Sequence, residues 1–308
     1  MERTSIGVII PVLNAEEYLE TLILSLRSQE RKADEILVID SGSSDNTITI
    51  AKSLKVNVLE INPGTFDHGA TRNLGFANTK SEIIIFMTQD ALPANMQTLE
   101  NLIKPLQQEK IVISYGRQVP CQNATPSEKF LRLSNYPPVS CIKSLDSINK
   151  MGIRAFQNSN ACSAYKRREF ETLGRFPETV TCNEDMIIAA RAIFAGYSVA
   201  YAADAVVWHT HRLSARQLFM RYFDIGASLD HEPRIKEQTV AEKSGLDFFI
   251  KQVAYLRKEK CLAHLPRVML ESGAKYFGYK FGLKQKALPI WLKKNLSMNK
   301  LFWDKIDE

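Results

Sequence analysis

Long apolar runs are missing from this 308-residue chain. Its hydrophobic stretches are strand-sized, far short of the roughly 20 residues that a membrane-spanning helix needs. Cysteine is scarce and scattered: Cys121, Cys141, Cys162, Cys182 and Cys261 are odd in number, and no pair has metal-ligand spacing. No secretory leader is expected before the first apolar run. These features predict a reducing, cytoplasmic setting in which any membrane contact is peripheral. No G-x-G-x-x-G follows the first strand, where Pro11-Val12-Leu13-Asn14 stands instead, and this argues against a nucleotide-binding dehydrogenase. No repeat with a period of about 20–50 residues is present. With 45% hydrophobic and 24% charged residues, the composition excludes disorder and fits an ordinary globular protein with a full core.

Acid is scarce in the last part of the chain. From Arg267 onward nine bases face four acids, whereas the net charge of the whole chain is only +6. Such local basicity attracts anionic lipid, pyrophosphate or nucleic acid. Tyr276, Phe277, Tyr279, Phe281, Trp291, Phe302 and Trp303 interleave with these bases. Core packing accounts for some of them, and an interfacial membrane surface is the alternative for the rest.

The first 120 residues alternate short β-branched runs with helical periodicity. Strands are predicted at Ile6–Val12, Glu35–Ile39, Val56–Ile61, Glu82–Met87 and Ile111–Tyr115, and helices at Glu16–Gln29, Thr47–Leu54, Gly69–Thr79 and Asn95–Gln108. This rhythm predicts an α/β fold, a mostly parallel doubly wound sheet with helices on both faces and ligands at the C-terminal strand ends. Asn14, Asp40, Gln89 and Asp90 fall at those ends. Cys121 to Gly152 is rich in Pro and Ser and is expected to be an irregular, mobile loop. A helix is predicted from Asn183 to Ala195 with Asn183 as its cap, a strand from Val199 to Val207, and helices from Ser214 and from Asp247 onward.

Asp40 ends an apolar strand and enters the turn Ser41-Gly42-Ser43-Ser44, where a carboxylate can accept a base N–H or a ribose hydroxyl; a helix cap is the other reading, but Asp45 fits that better. Asp90 ends the fourth strand, as a ligand to a hard divalent ion or as a turn former before Leu92-Pro93. Glu184 and Asp185 open a helix, either as dipole complements or with one of them as a general base. His209 and His211 follow a strand at i and i+2, a spacing that suits a metal or phosphate role.

In order, these pieces resemble a family 2 glycosyltransferase with a GT-A fold over about Ser5 to Ser214. The marks are Val8 to Asn14, Asp40 to Thr47, Thr71-Arg72-Asn73-Leu74-Gly75, Asn183-Glu184-Asp185 and Val207-Trp208-His209. Within that family Phe66 to Asn73, Thr88-Gln89-Asp90-Ala91, Asn160 to Arg168 and Arg221 to Gly226 are similar to rhamnosyltransferases of bacterial surface-polysaccharide assembly. The chain is expected to divide into a nucleotide-sugar-binding half over 1–120, an acceptor-binding and catalytic half over 121–230, and a basic, aromatic helical extension over 231–308.

The resemblance also implies an inverting transfer of L-rhamnose from dTDP-rhamnose to a saccharide or lipid-linked saccharide acceptor; the basic, aromatic tail is expected to hold the enzyme on the inner face of the cytoplasmic membrane, and no nucleic-acid partner is expected. A UDP-hexose donor and a non-catalytic nucleotide-sugar-binding protein are the alternatives. Asp185 is implied as the base, with Glu184 beside it. Asp90 and His209 are implied as ligands of Mg2+ or Mn2+, with Thr88 where the family's metal motif has its first acid. The donor is expected to meet Pro11, Val12, Asn14, Asp40 and Ser41, then Asp67, His68 and Arg72, and finally Gln89, Asp90 and His211. The metal and Arg72 or His211 are expected to neutralise the departing diphosphate.

Overall fold

The computed structural model describes residues 4–210, 212–238 and 241–307. They fall into two compact units that interleave along the chain. One comprises Met1–Cys121, Tyr136–Glu178 and Glu184–His209; the other comprises Gln122–Asn135, Thr179–Asn183 and Thr210–Glu308.

The first unit is built on nine strands: β1 (Ile6–Val12), β2 (Glu35–Asp40), β3 (Asn57–Glu60), β4 (Ile83–Met87), β5 (Leu92–Pro93), β6 (Ile111–Val119), β7 (Cys141–Lys143), β8 (Cys162–Lys166) and β9 (Ser198–Trp208). They form one sheet in the order β3-β2-β1-β4-β8-β6-β9-β5, with β7 also paired to β9. The half made of β1 to β4 is parallel, as the alternating pattern predicts. The sheet as a whole is mixed, because β8 runs antiparallel to both β4 and β6. Strands buried on both faces read as continuous apolar runs, which explains Ile6 to Ile10 and Ile83 to Met87.

Helices cover both faces. The Leu19–Arg27 helix buries Leu19, Leu22, Ile23 and Leu26 in the core that also holds Ile6, Val8 and Ile10. On Phe86, rings gather instead: Tyr165, Phe170 and Phe176 lie at centroid distances of 5.5, 6.0 and 5.0 Å. A break in the β6/β9 ladder follows Gly116, where the register jumps from Ala202 to Val206. A side chain at Gly116 would come within 2.6 Å of the Ala205 carbonyl oxygen, so only glycine permits this approach. The jump lets β6 and β9 end side by side, Val119 opposite Trp208.

The segment expected as irregular contains a helix, Pro126–Asn135, strand β7 and a second helix, Leu145–Met151. The first helix starts on a reciprocal cap: Thr125 N donates to Glu128 Oε2 at 2.6 Å and Glu128 N donates to Thr125 Oγ1 at 3.3 Å.

The second unit is helical. Its Ala215–Ser228 helix packs closely on Leu265–Leu283, since a Cβ at Gly278 or Gly282 would meet the Phe219 or Phe223 carbonyl oxygen at 2.2 or 2.1 Å. Phe302 and Trp303 pack with Phe223 and Ala227 in its core. Both are therefore buried packing residues rather than members of an interfacial aromatic set. Asp224 is buried as well, accepting from Ser297 Oγ at 2.5 Å and Met298 N at 2.8 Å, and burial lifts its carboxyl to about 6.

Candidate active site

The parallel strands deliver their polar ends to one edge of the sheet, where open α/β sheets bind ligands. Val12, last in β1, pairs with Asp40, last in β2, and Pro11 with Ile39. Beyond them the chain turns at Asn14, which has φ +50°; its N donates to Ser43 Oγ at 2.8 Å, and its Oδ1 accepts from Ser44 N at 2.9 Å. Gln89, beyond β4, ties this turn down by accepting from Leu13 N at 2.8 Å and donating to Leu13 O at 3.1 Å.

Asp40 is 1% exposed. Its Oδ2 accepts from Gly42 N and Ser43 N, both at 2.9 Å, whereas Oδ1 and the neighbouring Ser41 Oγ are buried with no hydrogen-bond partner. Buried polar atoms are nearly always satisfied, so this pair is a candidate point of contact for a ligand's donor. Asp45 does the capping work here, accepting from Thr47 N at 3.0 Å. Asp67 caps the His68–Ala77 helix, accepting from Gly69 N and Ala70 N at 2.9 and 2.8 Å.

A second cluster holds two carboxylates. Arg72 is buried; it donates to His68 O at 2.8 Å and to Glu184 Oε1 at 3.1 Å. Asn160 Nδ2 donates to the same Oε1 at 3.2 Å, and Asn160 N donates to Asp185 Oδ2 at 3.2 Å. The orientation of that amide is fixed by Tyr165, whose hydroxyl donates to Asn160 Oδ1 at 2.7 Å. Behind it, Asn158 Nδ2 donates to the Tyr165 oxygen at 2.7 Å and to Asp185 O at 3.2 Å.

The two acids are thereby pushed apart. Burial raises the Glu184 carboxyl, but Arg72, His68 and the hydrogen bonds from its own N–H and Asn160 outweigh it, so Glu184 stays ionised below the usual range. Burial, and then the charge of Glu184, pushes Asp185 up to about 7. One carboxylate is a fixed anion and its neighbour is poised to take a proton near neutral pH. Asn183, expected to cap this helix, instead has φ +65° and gives its amide to Ser228 Oγ at 2.8 Å.

The third cluster joins the ends of β4, β6 and β9. His209 is buried, its Nε2 3.4 Å from Asp90 Oδ1 and its Nδ1 2.9 Å from Gln118 Oε1. Gln118 Nε2 donates to Ser159 Oγ at 2.8 Å, which turns Oε1 toward the imidazole and places the proton on Nδ1. Nε2 then presents its lone pair toward a carboxylate oxygen, an arrangement suited to two ligands of one divalent cation. Among the described residues no group of three or more His, Cys, Asp or Glu forms a complete metal cage. The loop before β8 links this cluster to the carboxylates: Ser159 meets Gln118 and Asn160 meets Asp185.

Most residues singled out in the sequence thus fall into three neighbouring constellations: Pro11, Val12, Asn14, Asp40 and Ser41 with Gln89; His68, Arg72, Glu184 and Asp185; and Asp90 with His209. His211 lies outside the described residues. Gln118, Asn158, Asn160 and Tyr165 had no assigned role; a buried polar residue ending an apolar strand is the signal that points to Gln118. Asn73 was also missed as a fastener: its Nδ2 donates to Phe176 O and Glu178 Oε1, both at 2.9 Å.

The chain is 38% identical to the O-antigen chain rhamnosyltransferase RfbN of Salmonella typhimurium over 304 residues, 98% of this chain and 96% of the relative. It is 36% identical to the O-antigen chain rhamnosyltransferase WbaN of Salmonella anatum over 284 residues, 92% and 90% of the two chains. Its fold is similar to that of the mannosyltransferase PcManGT from Pyrobaculum calidifontis, solved with GDP-Man and Mn2+, with a TM-score of 0.61, 17% identity, and 96% and 88% of the chains covered. The model of glycosyl transferase family 2 matches residues 7–174, so the chain belongs to that family.

Proposed function

We propose that the enzyme transfers L-rhamnose from dTDP-rhamnose, with inversion, to a lipid-linked saccharide in cell-surface polysaccharide synthesis. The observation that carries the catalytic part is the split pair, an ionised Glu184 clamped by Arg72 beside an Asp185 raised to about 7. The rhamnosyl part is supported by the near-full-length similarity to two proteins named O-antigen chain rhamnosyltransferase.

Asp185 takes the proton from the acceptor hydroxyl, and that oxygen attacks the anomeric carbon from the face opposite the nucleoside diphosphate. The C–O bond to the diphosphate breaks and dTDP leaves. Asp40 Oδ1 receives the base N–H or a ribose hydroxyl, beside the turn of Asn14 and Ser43. Asp90 and His209 would hold a magnesium or manganese ion; when bound, it supplies positive charge to the diphosphate leaving group. Arg72, buried against Glu184, acts on the base instead of the departing diphosphate. We place the reaction on the cytoplasmic face of the membrane, where the acceptor's lipid would reside; no described helix is long and apolar enough to cross a bilayer.

Two results are expected. In calorimetric titration dTDP-rhamnose should bind more tightly than any UDP-hexose; the reverse order would remove rhamnose as the donor sugar. In the variant Glu184→Gln, the negative charge that helps to raise Asp185 is gone, so the Asp185 carboxyl should ionise at lower pH. The acid limb of the pH profile of kcat/KM, which rises as the base loses its proton, should therefore move down from about 7. A limb that stays in place or moves up would contradict the coupling.

A further inference from the structure

Between Lys260 and Asp304 the chain carries eight bases and a single carboxylate, Glu271. That carboxylate is turned inward: Arg267 Nε donates to its Oε1 at 2.7 Å, and Ser127 Oγ donates to its Oε2 at 2.5 Å. The surface formed by this stretch therefore shows solvent no negative side chain.

The Leu265–Leu283 helix is the apolar part of that surface. Val268, Glu271, Gly278 and Gly282 form its buried face. Met269, Leu270, Tyr276, Phe277 and Phe281 are all exposed, Leu270 at 64% and Phe277 at 57%. Successive helix turns bring 270, 273, 277, 281 and 284 into one stripe about 20 Å long. Gly273, in the middle of it, has open space where a side chain would stand. Arg267 lies at one end and Lys284 at the other, and Lys280 Nζ sits 5.7 Å from the Tyr276 ring.

We infer that this helix face is a docking surface for anionic lipid, with its apolar stripe at the acyl boundary and its bases among the headgroups. Exposed apolar area of this extent on a helix marks an interaction site. A stripe of Met, Leu and Phe edged by bases, with no exposed acid, matches an interfacial helix. Nucleic acid would satisfy the bases but offers no hydrocarbon for Met269 and Leu270. The assignment differs from the one composition suggests: Phe302 and Trp303, at 7% and 3% exposure, belong to the core and leave the Leu265–Leu283 face to do the docking. Its purpose rests on the lipid-linked acceptor proposed above; its physical basis does not.

The test is co-sedimentation of the full chain with vesicles of phosphatidylcholine containing phosphatidylglycerol, against phosphatidylcholine alone. The chain should sediment with the anionic vesicles and be released by salt. The double variants Leu270→Ser/Phe277→Ser and Lys280→Glu/Lys284→Glu should each lose at least about tenfold in partitioning, with unchanged circular dichroism. Both should transfer sugar to a water-soluble acceptor at the wild-type rate. Wild-type protein left in the supernatant at low salt, or double variants that sediment like wild type, would overturn the proposal. So would a dimer that Phe277→Ser separates while vesicle binding is unchanged, since the face would then belong to a second copy. Vesicle binding that survives a failure of dTDP-rhamnose as donor would sustain the docking face and remove only the donor assignment.

Discussion

Asp185→Asn is expected to lower kcat by roughly 10²- to 10⁴-fold, the usual cost of removing a general base, while donor affinity stays unchanged. Asparagine keeps one of the two bonds the carboxylate accepts, from Met186 N to Oδ1 at 2.7 Å or from Asn160 N to Oδ2 at 3.2 Å, and turns its own N–H toward the other donor. The cost of that lost bond is opposed, at high pH, by removal of a buried charge. A carboxyl raised in the folded state contributes stability below its unfolded pKa of about 3.9, and that contribution is lost as pH climbs through about 7. At a pH of about 8 the variant should therefore melt no lower than wild type. Steady-state rates, donor calorimetry and thermal melts check the three parts. A variant with near wild-type turnover would show that another group takes the proton.

Asp90→Ala should cost about 10³-fold or greater, because a metal ion's charge on a leaving diphosphate is worth several kcal/mol. The fold supplies one carboxylate at that position, with Thr88 in place of a second acid two residues before it, so nothing adjacent compensates. Excess chelator should reduce wild-type protein to a similar level, and added Mg2+ or Mn2+ should restore wild type but not the variant. Full wild-type activity in chelator would contradict the metal assignment. Gln118→Leu offers a milder comparison: it leaves both ligands in place but removes the bond that sets the His209 tautomer, so it should raise the metal concentration needed for half-maximal rate.

Much of this site can be read from the chain because strand ends and turns leave local signatures. The apolar run closing on Asp40 and the run closing on Thr88-Gln89-Asp90 each announce a strand that gives way to polar residues at its end. Side-by-side placement of β1, β2 and β4 then follows from the parallel rule. What the chain does not reveal are contacts made across the sheet. Nothing local to Arg72 says that it will lie against Glu184, 112 residues away, or that Tyr165 will orient Asn160 for the same carboxylate. Antiparallel β8 is likewise a non-local outcome, since its pairing with β4 and β6 depends on the path of the segment before it. Composition misleads at Thr125-Pro126-Ser127-Glu128: read as Pro/Ser-rich loop, it is a helix start with a capping box and a first-turn proline. The tail misleads in another way, because aromatic periodicity alone does not tell Phe277, which is exposed, from Trp303, which packs on Phe223 at a ring distance of 6.3 Å.

The most direct test of the central claim is mass spectrometry of a lipid-linked saccharide acceptor after incubation with the purified chain, divalent metal and each of several nucleotide sugars in turn. dTDP-rhamnose should add one deoxyhexose to the acceptor, and the Asp185→Asn and Asp90→Ala proteins should fail to add it under the same conditions. Addition of a hexose from a UDP-sugar with none from dTDP-rhamnose, or undiminished addition by both variants, would contradict that claim.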